Sequence, residues 1–438
     1  MTQRTYLTFL GRGSRDPATG KYDYVPMRYC IDGGVAASSV TKFVQCAEIE
    51  LLGPENFDKI LVVCTQQSHA DHFSTLAAEL SHLGAVEPLS VMISEDMGAT
   101  QQWDWFEKIL PVVEPGALLT VDLTHGYRAG SIVLSAAIHF LVRAKKAMLA
   151  AVYYGRVDGK KGEDQRGVIV DLKDFYRIND WADAVSRLVE EADARKLAEV
   201  AEAAPDFQAG GLIDPALRQA LLDLTSAVRN VEVNRVATLA REAMARVHAA
   251  MAGAPVTTKV LLDLVAYKFA SLASEAPTSG RYDSDYLQMQ VEIARLLIEH
   301  KLYMQAFTVM RELIGSIGMS GVPHKEMNSS RGRGQRRRAD VFICMAQIDR
   351  SDWRFKFEDE ELVQMLLPWY EKLVSAGIAD NVRDLSRTLV KIRNGFDHAW
   401  TSSASAPMDL EEASRNAVAK LSAIVATVIA ITGTHDRG

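Results

Sequence analysis

Cysteine is scarce: the 438 residues hold four, Cys30, Cys46, Cys64 and Cys344, scattered without paired spacing. That excludes a disulfide framework and a cysteine-based metal module, and it fits a reducing cytoplasm. No apolar run reads as long enough to span a membrane, so no membrane partner is expected. The opening stretch from Met1 to Gly11 lacks the apolar core and small-residue cleavage site of a signal peptide and reads as mature sequence. An excess of positive charge is missing too: 49 Lys and Arg face 56 Asp and Glu, for a net charge of −7 and a pI near 5.9. Broad non-specific nucleic-acid binding is thereby disfavoured, while a local basic patch remains open. The glycines after the first strand are not followed by a third at the dinucleotide spacing, so that fingerprint is absent as well.

What is present is an ordinary globular balance, 48% apolar and 24% charged. The length allows two or three domains and a core that needs no cofactor for stability. From Tyr6 to Ile178, short β-branched runs alternate with helical patterns. Strands are predicted at 6–10, 59–64, 89–93, 118–123, 148–154 and 168–170, with helices at 41–53, 70–83, 102–110 and 131–145. This is the pattern of an α/β unit with an open, mostly parallel sheet. Beyond Asn179 the pattern is all-α. Helices are predicted at 180–203, at 215–252 as one long helix or a tight pair opened by Pro215, and then at 257–273, 283–300, 302–318, 359–376, 379–400 and 410–431. The expected division is 1–178, a helical connecting region 179–255, and a helical domain 256–438.

Ligands of such sheets bind beyond the carboxyl ends of the strands. Three exits carry suitable chemistry. Gly11-Arg12-Gly13-Ser14 offers close backbone approach and a guanidinium. Thr65-Gln66-Gln67-Ser68-His69 offers groups for base edges or ribose hydroxyls. Asp122-Leu123-Thr124-His125-Gly126-Tyr127-Arg128 opens onto a helix N-terminus that favours an anion. A plain strand-to-helix turn explains any one of them; three at successive exits point to a site.

The other polar cluster is Arg393-Asn394-Gly395-Phe396-Asp397-His398. On a helix, Asn394 and His398 share a face, with Arg393 one step round. Histidine moves protons near neutral pH, arginine holds phosphate, and asparagine fixes an oxygen, a set suited to metal-free RNA cleavage by the substrate's own 2′-hydroxyl. The plain alternative is a surface arginine and a satisfied half-buried histidine. Arg295 with His300 has the same spacing, and Arg241 with His248 a looser one. The first rival lies in an apolar helical stripe, whereas Asn394 and Gly395 weaken their helix and keep polar groups together. Residues 328–338, with Arg331, Arg333, Arg336, Arg337 and Arg338, read as a flexible glycine-serine loop, either merely solvated or an RNA-tracking arm. Trp400 and the set Trp353, Phe355 and Phe357 read as core anchors.

Asp122-Leu-Thr-His-Gly-x-Arg128 after an N-terminal Leu-Thr-Phe-Leu-Gly strand resembles the signature of CARF domains in CRISPR-associated proteins of type III systems. Arg393 to His398 in a C-terminal helical region is similar to the Arg-x4-6-His site of HEPN ribonucleases. The resemblance implies a Rossmann-like CARF domain that binds cyclic oligoadenylate, with cyclic tetra-adenylate as the expected activator, through Gly11, Arg12, Gly13, Thr65, Gln66, Thr124, His125, Gly126 and Arg128. It also implies a metal-independent HEPN endoribonuclease acting on single-stranded RNA through Arg393, Asn394 and His398, built across a homodimer or higher assembly. Two other readings stand beside it. One is a signal-responsive regulator binding DNA through 180–255, which is neither basic nor marked by a recognition helix. The other is a sensor that also degrades its ligand.

Overall fold

The computed structural model describes residues 2–15, 20–96, 98–125, 128–159, 165–203, 212, 214–273, 282–321, 332–397, 400 and 409–433. The chain forms two compact units, Met1–Ile178 and Asn179–Gly438.

The first unit runs β1 Arg4–Leu10, β2 Ser14–Arg15, β3 Tyr22–Asp23, β4 Tyr29–Ile31, α1 Val44–Leu52, β5 Lys59–Thr65 and a single turn, α2 Gln66–Ser68. A π-helical turn at His69–Phe73 leads into α3 Ser74–His82, then β6 Pro88–Ile93, α4 Ala99–Val112, β7 Leu118–Asp122, α5 Arg128–Ala144, β8 Met148–Asp158 and β9 Arg166–Asp171. Among the described residues the sheet has seven strands in the order β4-β9-β8-β7-β1-β5-β6, parallel except for β8 with β9. β1 and β5 are buried almost throughout, as strands covered on both faces must be. Their side chains still alternate. Leu7, Phe9, Leu61 and Val63 pack toward α4 and α5 around Trp105, whereas Tyr6, Leu10, Ile60 and Val62 pack toward α1 and α3. The strand order reverses at β1, between β5 on one side and β7 on the other. The sequence reading missed β2, β3 and β4, each of two or three residues.

α6 Lys173–Glu191, which begins before the division at Ile178, and α7 Arg195–Ala203 replace one predicted helix; the break falls at Ala192, which has φ 50°. Residues 215–252 form a pair, α8 Pro215–Arg229 and α9 Val233–Met251, divided at Val231 with φ 61°. Asp214 caps α8 by accepting from Ala216 N at 3.0 Å, with Pro215 in the first turn. Then come α10 Val256–Phe269, α11 Ser284–Glu299, α12 Tyr303–Ser320, α13 Gly332–Gln347, α14 Glu360–Ser375, α15 Ala379–Asp397 and α16 Leu410–Gly433. α12 is the hub and touches α11, α13, α14, α15 and α16. The helices of 179–255 pack into the same unit, with α8 and α9 against α11.

Three expectations need correction. Residues 332–338 are the start of α13 and not a flexible loop, because tertiary ion pairs hold Arg336 and Arg337 there. Phe357 is 87% exposed and anchors no core. The C-terminal helix does carry an apolar stretch, Leu410–Thr432 with mean hydropathy 1.4, that meets the length and composition of a membrane span. Its packing on α11, α12 and α15 is that of a helix in a bundle.

Candidate functional site

The carboxyl end of β1 opens into a cavity of about 290 Å³ lined by Gly11, Arg12, Gly13, Tyr22, Thr65 and Ser68 over Phe9, Val63 and Ile93. Backbone geometry dictates glycine here. Gly13 has φ 78°, and a Cβ on it would lie 2.4 Å from Asp23 O. That contact lets β2 and β3 fold back as a short hairpin. Arg12 is held from three sides. Its Nε donates to Asp71 Oδ2 at 2.9 Å, its Nη1 donates to Gln67 Oε1 at 2.7 Å, and its guanidinium lies 4.4 Å from the Tyr22 ring centre. The Arg12 carbonyl accepts from His72 Nε2 at 3.0 Å, which fixes the proton on that nitrogen. The guanidinium is therefore presented in one pose, but already paired with a carboxylate.

Thr65 lines the cavity, yet its hydroxyl is engaged in a capping box. Thr65 Oγ1 accepts from Ser68 N at 3.2 Å, and Ser68 Oγ accepts from Thr65 N at 3.0 Å. Gln66 is exposed, free of the cap.

At the third exit Asp122 is fully buried and organises the turn. Its Oδ1 accepts from Thr124 N at 2.8 Å and from Thr124 Oγ1, and its Oδ2 accepts from Thr8 Oγ1 at 2.7 Å. Thr124 Oγ1 in turn accepts from Gly155 N at 2.7 Å, joining the turn to β8. His125 packs beside Tyr24, ring centres 4.8 Å apart, and its Nε2 is buried without a hydrogen-bond partner. Burial pushes the His125 pKa down, with the Asp122 charge opposing, so the ring tends to neutrality. Tyr24 touches the first and third loops: a Cβ on Gly11 would lie 3.3 Å from its hydroxyl. Gly126 falls outside the described residues, as does the side chain of Arg128, the residue that opens α5.

Beneath the site lies a polar layer. Gln45 Nε2 donates to Phe9 O at 2.7 Å and Thr8 Oγ1 at 3.2 Å, and Tyr6 OH donates to Glu48 Oε2 at 2.6 Å. Glu48 is 1% exposed; burial, then the Asp122 charge, lift its pKa well above the carboxylate range against the Tyr6 hydrogen bond.

The second site is the end of α15. Arg393 Nη2 lies 3.5 Å from Asp397 Oδ2, and Asn394 is exposed. Gly395 is there for contact: a Cβ would meet the Trp400 ring at 2.6 Å, and Gly395 O accepts from Trp400 N at 2.8 Å. Phe396 stacks edge-on to Trp400 at 5.6 Å and lies 6.3 Å from Phe307. The turn is thus anchored to α12. His398 lies outside the described residues.

The rival His300 is 7% exposed with Nδ1 2.6 Å from Glu190 O, and Arg295 binds Glu292 and donates to Ser422 Oγ at 2.7 Å, both structural. Among the arginines of α13, Arg337 grips Asp359 with two bonds of 2.8 and 2.7 Å, and Arg336 pairs with Glu312 and Asp340. Arg338 is half-buried, and Arg331 and the Arg333 side chain fall outside the described residues.

Sequence reasoning missed Tyr22, Tyr24, Asp71 and His72, which together with Gln67 assemble the first loop. The available signal was the run His69-Ala-Asp71-His72 immediately after a strand exit, polar where a helix should turn a face to the sheet.

No family model matches the sequence, and no curated protein matches it. Among solved structures, one match is Csm6 of Enterococcus italicus bound to cyclic hexa-2′-fluoro-hexa-dAMP, at 9% identity and a TM-score of 0.45, covering 98% of this chain and 94% of that one. A likeness that distant says nothing of activity.

Proposed function

We propose that the chain is a CARF-HEPN ribonuclease of CRISPR type III antiviral defence, in which the N-terminal unit senses a cyclic oligoadenylate and the helical unit cuts single-stranded RNA. The observation that carries this reading is the cavity at the carboxyl ends of β1 and β5, lined by Gly11, Arg12, Gly13 and Thr65, beside the crevice between β1 and β7 where the strand order reverses. Arg12 would meet a ligand phosphate, with Asp71 as the group the phosphate displaces. Gln66, Thr124 and His125 stand at the two neighbouring exits, and Gly126 with Arg128 would complete an anion site at the start of α5.

For the helical unit the support is the motif resemblance together with the exposed polar groups at the end of α15. Arg393 would hold the scissile phosphate and Asn394 an oxygen. His398 would exchange the protons as the 2′-hydroxyl attacks and a 2′,3′-cyclic phosphate forms, a route that asks for no metal. The arginines at 331, 333, 336, 337 and 338 would guide the strand. One histidine per chain is too few for both proton transfers, so the active species is a homodimer. What favours pairing is α16: only 33% of its apolar stretch is buried within the chain, and Ala419, Ala423, Ala426 and Ala430 line its exposed side. The activator assigned is cyclic tetra-adenylate, and the setting is the cytoplasm.

The test is incubation of the purified protein with labelled RNA and a panel of cyclic oligoadenylates in EDTA. Cleavage switched on by one ring size, with cyclic-phosphate ends, is the expected result. No cleavage with any ring overturns the reading.

A further inference from the structure

The helical unit has a cavity of about 470 Å³ lined from the α8–α9 turn, α11, α12 and α13, with no lining residue on α15. Its volume lies within the range of small-molecule pockets, about 300–1,000 Å³. Gln290 on α11 lines it and is 2% exposed, yet its Oε1 has no hydrogen-bond partner. Its neighbour Tyr286 spends its hydroxyl proton on Asn234 Oδ1 at 2.9 Å and has none left to donate to Gln290. One buried acceptor is therefore left over. A buried acceptor left unpaired is destabilising, and a ligand donor would relieve that cost.

The rest of the lining narrows the ligand. Tyr282 and Tyr286 meet edge-to-face with centres 5.7 Å apart, a surface for a flat ring. Glu312 faces Arg336, and Glu232 faces Arg235, so the walls are close to neutral and do not select an anion. An apolar ligand would leave Gln290 Oε1 unpaired.

We propose that this cavity binds an aminated nucleobase, adenine or cytosine, whose exocyclic amine donates to Gln290 Oε1 while its ring packs on Tyr282. The base is supplied either by a free nucleoside or by an RNA strand. The inference does not depend on the ribonuclease reading, because binding and not cleavage is measured.

The experiment titrates the full chain by calorimetry with adenosine, with purine riboside, which lacks the amine, and with a short oligoadenosine RNA. It uses the native protein, Tyr282→Ala and Gln290→Leu, with Arg12→Ala as the background that removes a contribution from the N-terminal cavity. Adenosine should bind about tenfold tighter than purine riboside, the equivalent of one hydrogen bond. Both variants should abolish that preference. Tyr282 is half-buried, so its replacement keeps the protein folded, as a melting curve will check. If only the oligonucleotide binds, and both variants weaken it, the base comes from RNA. Equal affinity for adenosine and purine riboside overturns the proposal, and so does binding unchanged in Tyr282→Ala or absent for all three ligands.

Discussion

Thr8 and Asp122 are register partners on adjacent parallel strands, and Thr8 Oγ1 donates to Asp122 Oδ2 at 2.7 Å. Because the carboxylate also holds Thr124 N and Oγ1, one buried charge links the sheet to the third loop of the candidate ligand site. Asp122→Ala leaves these donors unpaired and should cost about 3–5 kcal/mol. Asp122→Asn, which keeps the shape, should cost less, as a urea midpoint will show. At the same turn, Arg128→Ala and Gly126→Leu should abolish binding of cyclic oligoadenylate with no change in urea midpoint. Unchanged affinity by calorimetry in both would remove the loop from the site.

Glu48 sets a pH dependence of opposite sign to the usual carboxylate. Its pKa in the fold is raised by burial, so the native state keeps a proton that the unfolded chain releases above pH 4.5. Stability from this group is full below the unfolded pKa and is lost as pH rises toward the folded one. Glu48→Gln removes that loss while still accepting from Tyr6 OH. The variant should be more stable than the native protein at pH 8 and closer to it at pH 4.5, measured as urea midpoints. A stability difference that does not change with pH would show that Glu48 is ionised in the fold.

The parallel sheet was legible because short apolar and β-branched runs, such as 60–64 in β5, alternate with helical patterns, and the helical unit because its apolar spacing persists to Ile431. Breaks within that spacing were not legible: Ala192 and Val231 turn through positive φ, a choice enforced by packing and invisible in residue type. The start of α13 failed for the opposite reason. Glycine, serine and arginine read as a loop until Glu312 and Asp359, distant in sequence, supply the partners. In the first site Gly11, Arg12 and Gly13 stood out by composition. Asp71 and His72 did not, since only the fold brings the helix after β5 against the loop after β1.

Arg337 tests how far the α13 arginines serve structure or RNA. Its bidentate pair is with Asp359, 7% exposed, at the start of α14. Arg337→Ser should therefore lower stability by about 1–2 kcal/mol. Arg338→Ser has no such partner to abandon among the ion pairs found, so it should leave stability near native while raising the apparent Michaelis constant for RNA and flattening its salt dependence. A native salt slope in Arg338→Ser would show that this segment does not track the strand.

Asp397 lies 3.5 Å from the Arg393 guanidinium, one helical turn on, in a pair that is 40% and 46% exposed. A solvated pair of that kind holds with under about 1 kcal/mol, weak enough for an RNA phosphate to replace the carboxylate. Asp397→Ala should thus keep or modestly raise RNA affinity. Arg393→Ala and His398→Ala should abolish cleavage while cyclic oligoadenylate still binds. Arg295→Ala should leave the chemistry intact, and so should His300→Ala, which unseats a buried ring from Glu190 O at a cost in stability alone. The dimer adds a sharper condition. If the two transferred protons need one His398 from each chain, mixing native protein with an excess of His398→Ala should suppress cleavage beyond dilution, because mixed pairs lack one histidine. Ala423→Arg on the exposed side of α16 should reduce both sedimentation mass and activity together. Full activity in a monomeric Ala423→Arg protein would dismiss the two-chain site, and full activity in His398→Ala would dismiss the motif itself.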